Sequence, residues 1–247
     1  SIKVSKNMTY CVGMKMDDGI VMVSDSRTNA GLDNVSTYKK MFSYSVGDRC
    51  IVIVTSGNLS TSQHVYKTLQ NDLNSNNPTN SLNICKNFDD IADYVGQISW
   101  NHSKTDGISF NTHLGSNFII GGQIQGQDPD LMMVYPVGNY IRASEIKPFF
   151  QLGETKYGKP ILDRLIRKDT SLGDAARCAL VSFDSTMKSD LTVGPPIDLI
   201  VYKKDTIQIS QEEHLQFKTP FFSDLSSKWS EGLRNLFKEL PKFDWEK

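Results

Sequence analysis

Apolar and polar positions begin to alternate at Thr9. Thr9–Met16 alternates with period two, Asp17-Asp18-Gly19 interrupts it, and Ile20–Ser24 resumes, so the spacing predicts a β-hairpin on an Asp-Gly turn. Met41–Val46, Gly47-Asp48 and Cys50–Thr55 predict a second hairpin. The period then lengthens to helical spacing. Val65, Leu69 and Leu73 share one face, with Ser60, Thr61 and Ser62 as cap candidates, and Phe88, Ile91, Val95 and Ile98 share another. The Asn- and Ser-rich stretch Asn71–Asn83, with Pro78, reads as the loop between them. Strands are predicted again at Asn117–Gly121, Leu131–Tyr135 and Asn139–Ala143, and helices at Tyr157–Ile166 and Leu172–Met187. Strands Ile197–Lys203 and Thr206–Ser210 follow around Lys204-Asp205, and Leu225, Trp229, Leu233, Leu236 and Leu240 mark a final helix stopped by Pro241. Blocks of strands alternating with blocks of helices favour antiparallel sheets covered by helices over a βαβ repeat. Without an internal repeat or linker, residues 9–247 read as one domain with a C-terminal helical tail, preceded by an extension, residues 1–8.

The 247 residues carry 27 basic and 28 acidic side chains, a formal net charge of −1, and 38% apolar residues. That composition excludes a disordered or fibrous chain and gives no overall attraction to nucleic acid or an anionic membrane. The polar start, Ser1–Asn7, has no apolar core of a signal peptide, and Gly19–Val23 is too short to span a bilayer. Cys11, Cys50, Cys85 and Cys178 lie far apart without a C-x-x-C pair, so they read as reduced, buried thiols of a cytoplasmic protein.

The familiar catalytic motifs are missing. His64, His102, His113 and His214 are isolated in sequence and read as surface or core residues, not ligands. There is no phosphate-binding G-x-x-x-x-G-K-[ST] run and no G-x-S-x-G elbow, and Gly121-Gly122 reads as a turn.

What remains is a pattern at the start of the chain. Thr9 opens a strand, Asp25-Ser26-Arg27 ends the second strand, and Lys39-Lys40-Met41 opens the next hairpin. With Ser56-Gly57-Asn58-Leu59, the run Gly153–Leu162, and Leu191–Leu199, this resembles the proteasome β-subunits, and within them the bacterial Anbu (ancestral β-subunit) branch. The resemblance covers nearly the whole chain from Thr9 and implies an α+β fold: a four-layer αββα sandwich of the N-terminal-nucleophile hydrolases, with two antiparallel sheets between helix layers. It implies that Thr9 is the nucleophile and its own α-amine the base, a chemistry that needs no histidine, metal or organic cofactor. Such an amine titrates near pH 8 in model peptides, close to working pH. By the same resemblance Lys40 stands beside the amine, Asp25 holds Lys40, Gly57 offers its N–H as the oxyanion hole, and Asp190 orders the nucleophile's surroundings. Asn29, Thr55 and Leu59 would line the substrate cleft. Glu154 stands where many β-subunits carry a serine and is a candidate supporting residue. Strand alternation lets only one of Lys39 and Lys40 face the site, and Lys40, directly before Met41, is the choice.

The implied activity is a threonine-type peptidase acting on peptides or unfolded proteins within a homo-oligomer, a ring or an open spiral. Two alternatives remain at this stage: a non-catalytic scaffold subunit, and an amidase of the same superfamily acting on a small amide. Residues 1–8 bear on all three. While they precede Thr9 its nitrogen is an amide, so the extended form is expected to be inactive until Met8 is removed as an initiator or the segment is cut as a propeptide.

Overall fold

The computed structural model describes residues 9–29, 35–105 and 114–247. The opening hairpin forms as the alternation predicts, β1 (Tyr10–Met16) against β2 (Gly19–Ser24), with Val12 opposite Val23. A short ribbon follows, β3 (Arg27–Asn29) with β4 (Val35–Thr37). The second hairpin is β5 (Met41–Val46) and β6 (Arg49–Gly57). β7 (Ser116–Ile124), β8 (Asp130–Val134) and β9 (Tyr140–Arg142) extend it into an antiparallel sheet of order β5-β6-β7-β8-β9. β10 (Phe149–Gly153), β11 (Ile197–Lys203) and β12 (Gln211–Leu215) join the first hairpin in the order β10-β1-β2-β11-β12, also antiparallel.

Side-chain parity sets the layers. On β1, Tyr10, Val12 and Met14 face outward and pack with Leu162, Ala175, Ala179 and Phe183 of α3 (Lys159–Leu165) and α4 (Leu172–Ser189). On β6, Ile51 and Ile53 face outward and meet Val65, Leu69, Ile91 and Val95 of α1 (Leu59–Asn74) and α2 (Phe88–Thr105). Their strand neighbours point the other way: Cys11, Ile20 and Met22 from one sheet meet Cys50, Val52, Val54 and Ile119 from the other. The result is the αββα sandwich, its central layer a cluster of buried apolar side chains. α5 (Pro220–Lys238) packs through Phe222 and Leu225 on the α4 side.

Several expectations need correction. The last strand is Gln211–Leu215, not Thr206–Ser210, because Asp205 and Ile207 both take positive φ (65° and 54°) and form the turn. Gly121-Gly122 is not a turn but lies inside β7, where Gly121 lets Ile20 and Leu131 approach and a Cβ on Gly122 would strike the Cys50 carbonyl. α1 starts after Asn58, whose side chain accepts from the Thr61 N–H, so none of the three expected hydroxyl residues is its cap. It also runs to Asn74, into the expected loop. β10 and the β3–β4 ribbon escaped the pattern: Phe149–Gly153 has no clean alternation, and three-residue strands are below the reach of periodicity.

Candidate active site

Thr9 lies just ahead of β1, its backbone carbonyl accepting the Glu154 N–H at 2.8 Å. The close fit depends on Gly153, which pairs with Tyr10 at φ +81°; a Cβ there would fall 1.9 Å from the Thr9 carbonyl oxygen. By parity with Cys11, Thr9 belongs to the face that meets the second sheet, and it is 6% exposed.

Contacts between the sheets bring Thr9 toward the end of β6. Cys11 Sγ lies 3.5 Å from the Thr55 carbonyl oxygen, and Gly13 faces Ile119, the strand partner of Val54. Going outward, Thr9 therefore follows Cys11 as Gly57 follows Thr55. Gly57 has φ +117°, and a Cβ would meet the Gly115 carbonyl at 2.6 Å, so only glycine fits this bend.

Asp25 is the hinge of the site. Its Oδ1 accepts from the Tyr10 N–H at 3.2 Å and from the Lys40 ammonium at 2.7 Å; its Oδ2 accepts from the Gly194 N–H at 3.3 Å. One carboxylate oxygen thus holds both the peptide that follows Thr9 and the lysine expected beside it. Lys40 Nζ also donates to the Arg27 carbonyl at 2.6 Å. Both charges are buried, Asp25 fully. Burial pushes the Asp25 carboxyl up from the ordinary range, and the Lys40 ammonium and the two N–H groups pull it back. Tyr10, Lys40 and Gly194 all donate to the carboxylate, which suits the ionised form near neutrality. The choice between neighbouring lysines is plain in burial: Lys39 is exposed and Lys40 is not. The Lys40 backbone is fixed by the Thr55 N–H (3.1 Å) and the Tyr66 hydroxyl (2.7 Å), both donating to its carbonyl.

Other expected residues are placed differently. Asp190 turns its carboxylate into its own loop, where Oδ1 accepts from the Thr192 N–H at 2.9 Å and the Thr192 hydroxyl at 2.6 Å. That loop reaches the site through Gly194, and Arg27 Nη1 donates to its Leu191 carbonyl at 2.5 Å. Thr55 is 2% exposed and faces α1, its hydroxyl bonded to Ser62 Oγ and the Asn117 carbonyl at 3.0 Å each. Its hydroxyl is therefore turned toward α1 and buried, not presented on the surface. Leu59 is the first residue of α1 and partly exposed. Asn29 ends β3, with its side chain outside the described set. The Glu154 carboxylate is largely covered, with Lys156 Nζ at 3.9 Å. His64 and His102 are not isolated but stacked (centroids 4.1 Å apart), and His214 Nδ1 bonds Asp198. His113 lies outside the described residues.

The family model described as "Proteasome subunit" matches residues 5–202. The chain belongs to the proteasome subunit family. Among solved structures it is similar to Anbu (ancestral beta-subunit) from Yersinia bercovieri, at 37% identity over 95% of this chain and 98% of that one, with a TM-score of 0.91. It is also similar to the Anbu complex of Pseudomonas aeruginosa, described as a helical assembly, at 43% identity over 95% and 98% of the two chains, TM-score 0.90. A "Proteasome subunit beta 2" from Pyrobaculum calidifontis is 25% identical over 196 residues, 78% of this chain and 88% of the relative. The structural neighbours place the chain with the Anbu branch of the family. Among the described residues no group of three or more His, Cys, Asp or Glu is disposed to hold a metal ion, and no helix is long and apolar enough to cross a membrane.

Proposed function

We propose that this chain is a threonine-type, proteasome-like peptidase working within a self-associated assembly. The observation that carries the reading is the Asp25 Oδ1 atom shared between the Tyr10 N–H and the Lys40 ammonium. It ties a positive charge to the peptide directly after Thr9. Once Thr9 is the first residue, a nearby ammonium disfavours protonation of its α-amine and lowers the cost of ionising its hydroxyl. The amine takes the hydroxyl proton, Oγ attacks the substrate carbonyl, and the Gly57 N–H receives the oxyanion. Collapse of that intermediate transfers the proton to the leaving amine and leaves an acyl ester on Thr9. Water, activated by the same amine, then hydrolyses the ester. No step requires a metal or an organic cofactor.

Self-association draws support from the helical assembly of the Pseudomonas relative and from large apolar side chains left bare here, among them Ile146, Leu191, Phe237 and Trp245. Four buried free thiols suit a reducing cytoplasm.

The test is to prepare the chain beginning at Thr9, by cleaving a fusion that leaves no residue before it, and the chain retaining residues 1–8. Both are assayed on fluorogenic peptides and on small amides. Turnover of peptides by the Thr9-first form alone, abolished in Thr9→Ala, is the expected outcome. Turnover by the extended form, or by Thr9→Ala, would overturn the free-amine mechanism, and turnover of small amides alone would replace the peptidase reading with the amidase.

A further inference from the structure

Ser26 stands between the two groups that hold Lys40. The ammonium donates to the Asp25 carboxylate at 2.7 Å and to the Arg27 carbonyl at 2.6 Å, so its position follows that of residues 25–27. The Ser26 backbone is anchored on both sides, its N–H to the Gly194 carbonyl at 3.2 Å and its carbonyl from the Tyr38 N–H at 2.7 Å. Its hydroxyl reaches into the first sheet and donates to Asp198 Oδ2 at 3.3 Å.

Asp198 has no part in the nucleophile chemistry described above. It lies on β11 opposite Ser24 and is 4% exposed. A carboxylate so deeply buried is costly unless donors satisfy it. Its second oxygen meets Nδ1 of His214, on the edge strand β12 directly opposite Asp198. The imidazole is about half exposed, and its Nε2 lies 3.6 Å from the Glu212 carboxylate. A polar chain therefore runs from a half-exposed histidine, through a buried aspartate, to the residue that separates both acceptors of the Lys40 ammonium.

We propose that His214, Asp198 and Ser26 are positioning residues for Lys40. His214 orients and holds the Asp198 carboxylate, Asp198 holds the Ser26 hydroxyl, and Ser26 keeps Asp25 and Arg27 at the separation that clamps the ammonium beside the Thr9–Tyr10 peptide. None of the three touches substrate. The inference deepens the Thr9 reading and rests on it for its catalytic consequence, while the clamp itself can be read without turnover.

The clamp is measured first, in the Thr9-first protein, by reductive methylation of lysines with formaldehyde, read by peptide mass mapping. Lys40 is expected to label far more slowly than its exposed neighbour Lys39. Ser26→Ala and His214→Ala are expected to label Lys40 roughly three- to tenfold faster, the worth of one ordinary hydrogen bond, with melting temperature held close to the parent's. Turnover is measured in the same preparations. A similar fall in kcat with KM unchanged is expected, recovered in large part by Ser26→Thr, which retains the hydroxyl. Unchanged Lys40 protection in both variants overturns the proposal, as does loss of rate that Ser26→Thr does not recover. A parent that protects Lys40 but hydrolyses no peptide would sink the peptidase reading alone.

Discussion

Replacing Lys40 with methionine tests the energetic centre of the site. The substitution keeps the length of the buried stem and removes the charge, leaving the Asp25 carboxylate with only the Tyr10 and Gly194 N–H groups. Breaking a buried ion pair from one side costs about 3–5 kcal/mol while the survivor stays charged. The survivor can escape by taking up a proton, and burial already pushes the Asp25 carboxyl upward. That route costs about 1.4 kcal/mol for each pH unit above the ordinary carboxylate pKa near 3.9, or about 4 kcal/mol at pH 7. The two figures agree, so the loss near neutrality is about 4 kcal/mol. Its pH dependence has a definite sign. A carboxyl whose folded pKa lies above its unfolded value contributes stability below the unfolded value and loses it as pH rises through the folded one. Lys40→Met should therefore cost about 1–2 kcal/mol at pH 5 and about 3–5 kcal/mol at pH 7.5. The assay is urea unfolding followed by tryptophan fluorescence at both pH values. Lys39→Met, at an exposed site, should shift stability by less than about 0.5 kcal/mol. The double variant Asp25→Asn/Lys40→Met removes both charges and should recover most of the loss at pH 7.5. An equal loss at both pH values, or a double variant worse than Lys40→Met alone, would refute the picture of a paired buried carboxylate.

Two further outcomes follow from the same structure. Gly153→Ala places a Cβ 1.9 Å from the Thr9 carbonyl at a left-handed backbone position, so the strand must shift; a loss of at least about 2 kcal/mol, with peptidase activity lost in the Thr9-first form, is expected, and parental stability in urea would contradict it. Burial pushes the thiols of Cys50, Cys85 and Cys178 up to about 11. Because the unfolded thiols ionise near 8.5 and the folded ones do not, their contribution is complete below pH 8 and is lost as pH rises toward 11; the urea midpoint should fall between pH 8 and 10, and iodoacetamide should leave all three unmodified at pH 7.5 until the protein unfolds.

Much of the architecture was readable one segment at a time. Both hairpins at the N-terminal end, Tyr10–Ser24 and Met41–Gly57, were visible because period-two alternation meets an Asp-Gly or Gly-Asp turn. α2 and α4 were visible because each buries one stripe against a sheet. Thr9, Asp25 and Lys40 were singled out by resemblance, and the fold brings Asp25 and Lys40 into contact. Lys40 could be preferred over Lys39, but burial distinguishes them plainly. Thr55 was misplaced because the residue's identity carries no sign of which face of β6 it takes at the strand's end. The Ser26–Asp198–His214 chain left no signature at all, since its members are 172 and 16 residues apart and ordinary by composition.

Local sequence by itself determined which segments extend and which coil. Those properties depend on turn chemistry and on side-chain period, which act between near neighbours in the chain. Only the tertiary structure decided where the charges meet. Asp25 reaches Tyr10 because β1 and β2 pair in one register, Lys40 because β5 begins beneath that pair, and Gly194 because β11 adds to the other edge of β2. A buried carboxylate is tolerable only where several such donors converge, and that convergence belongs to the packing of both sheets, not to any stretch of the chain.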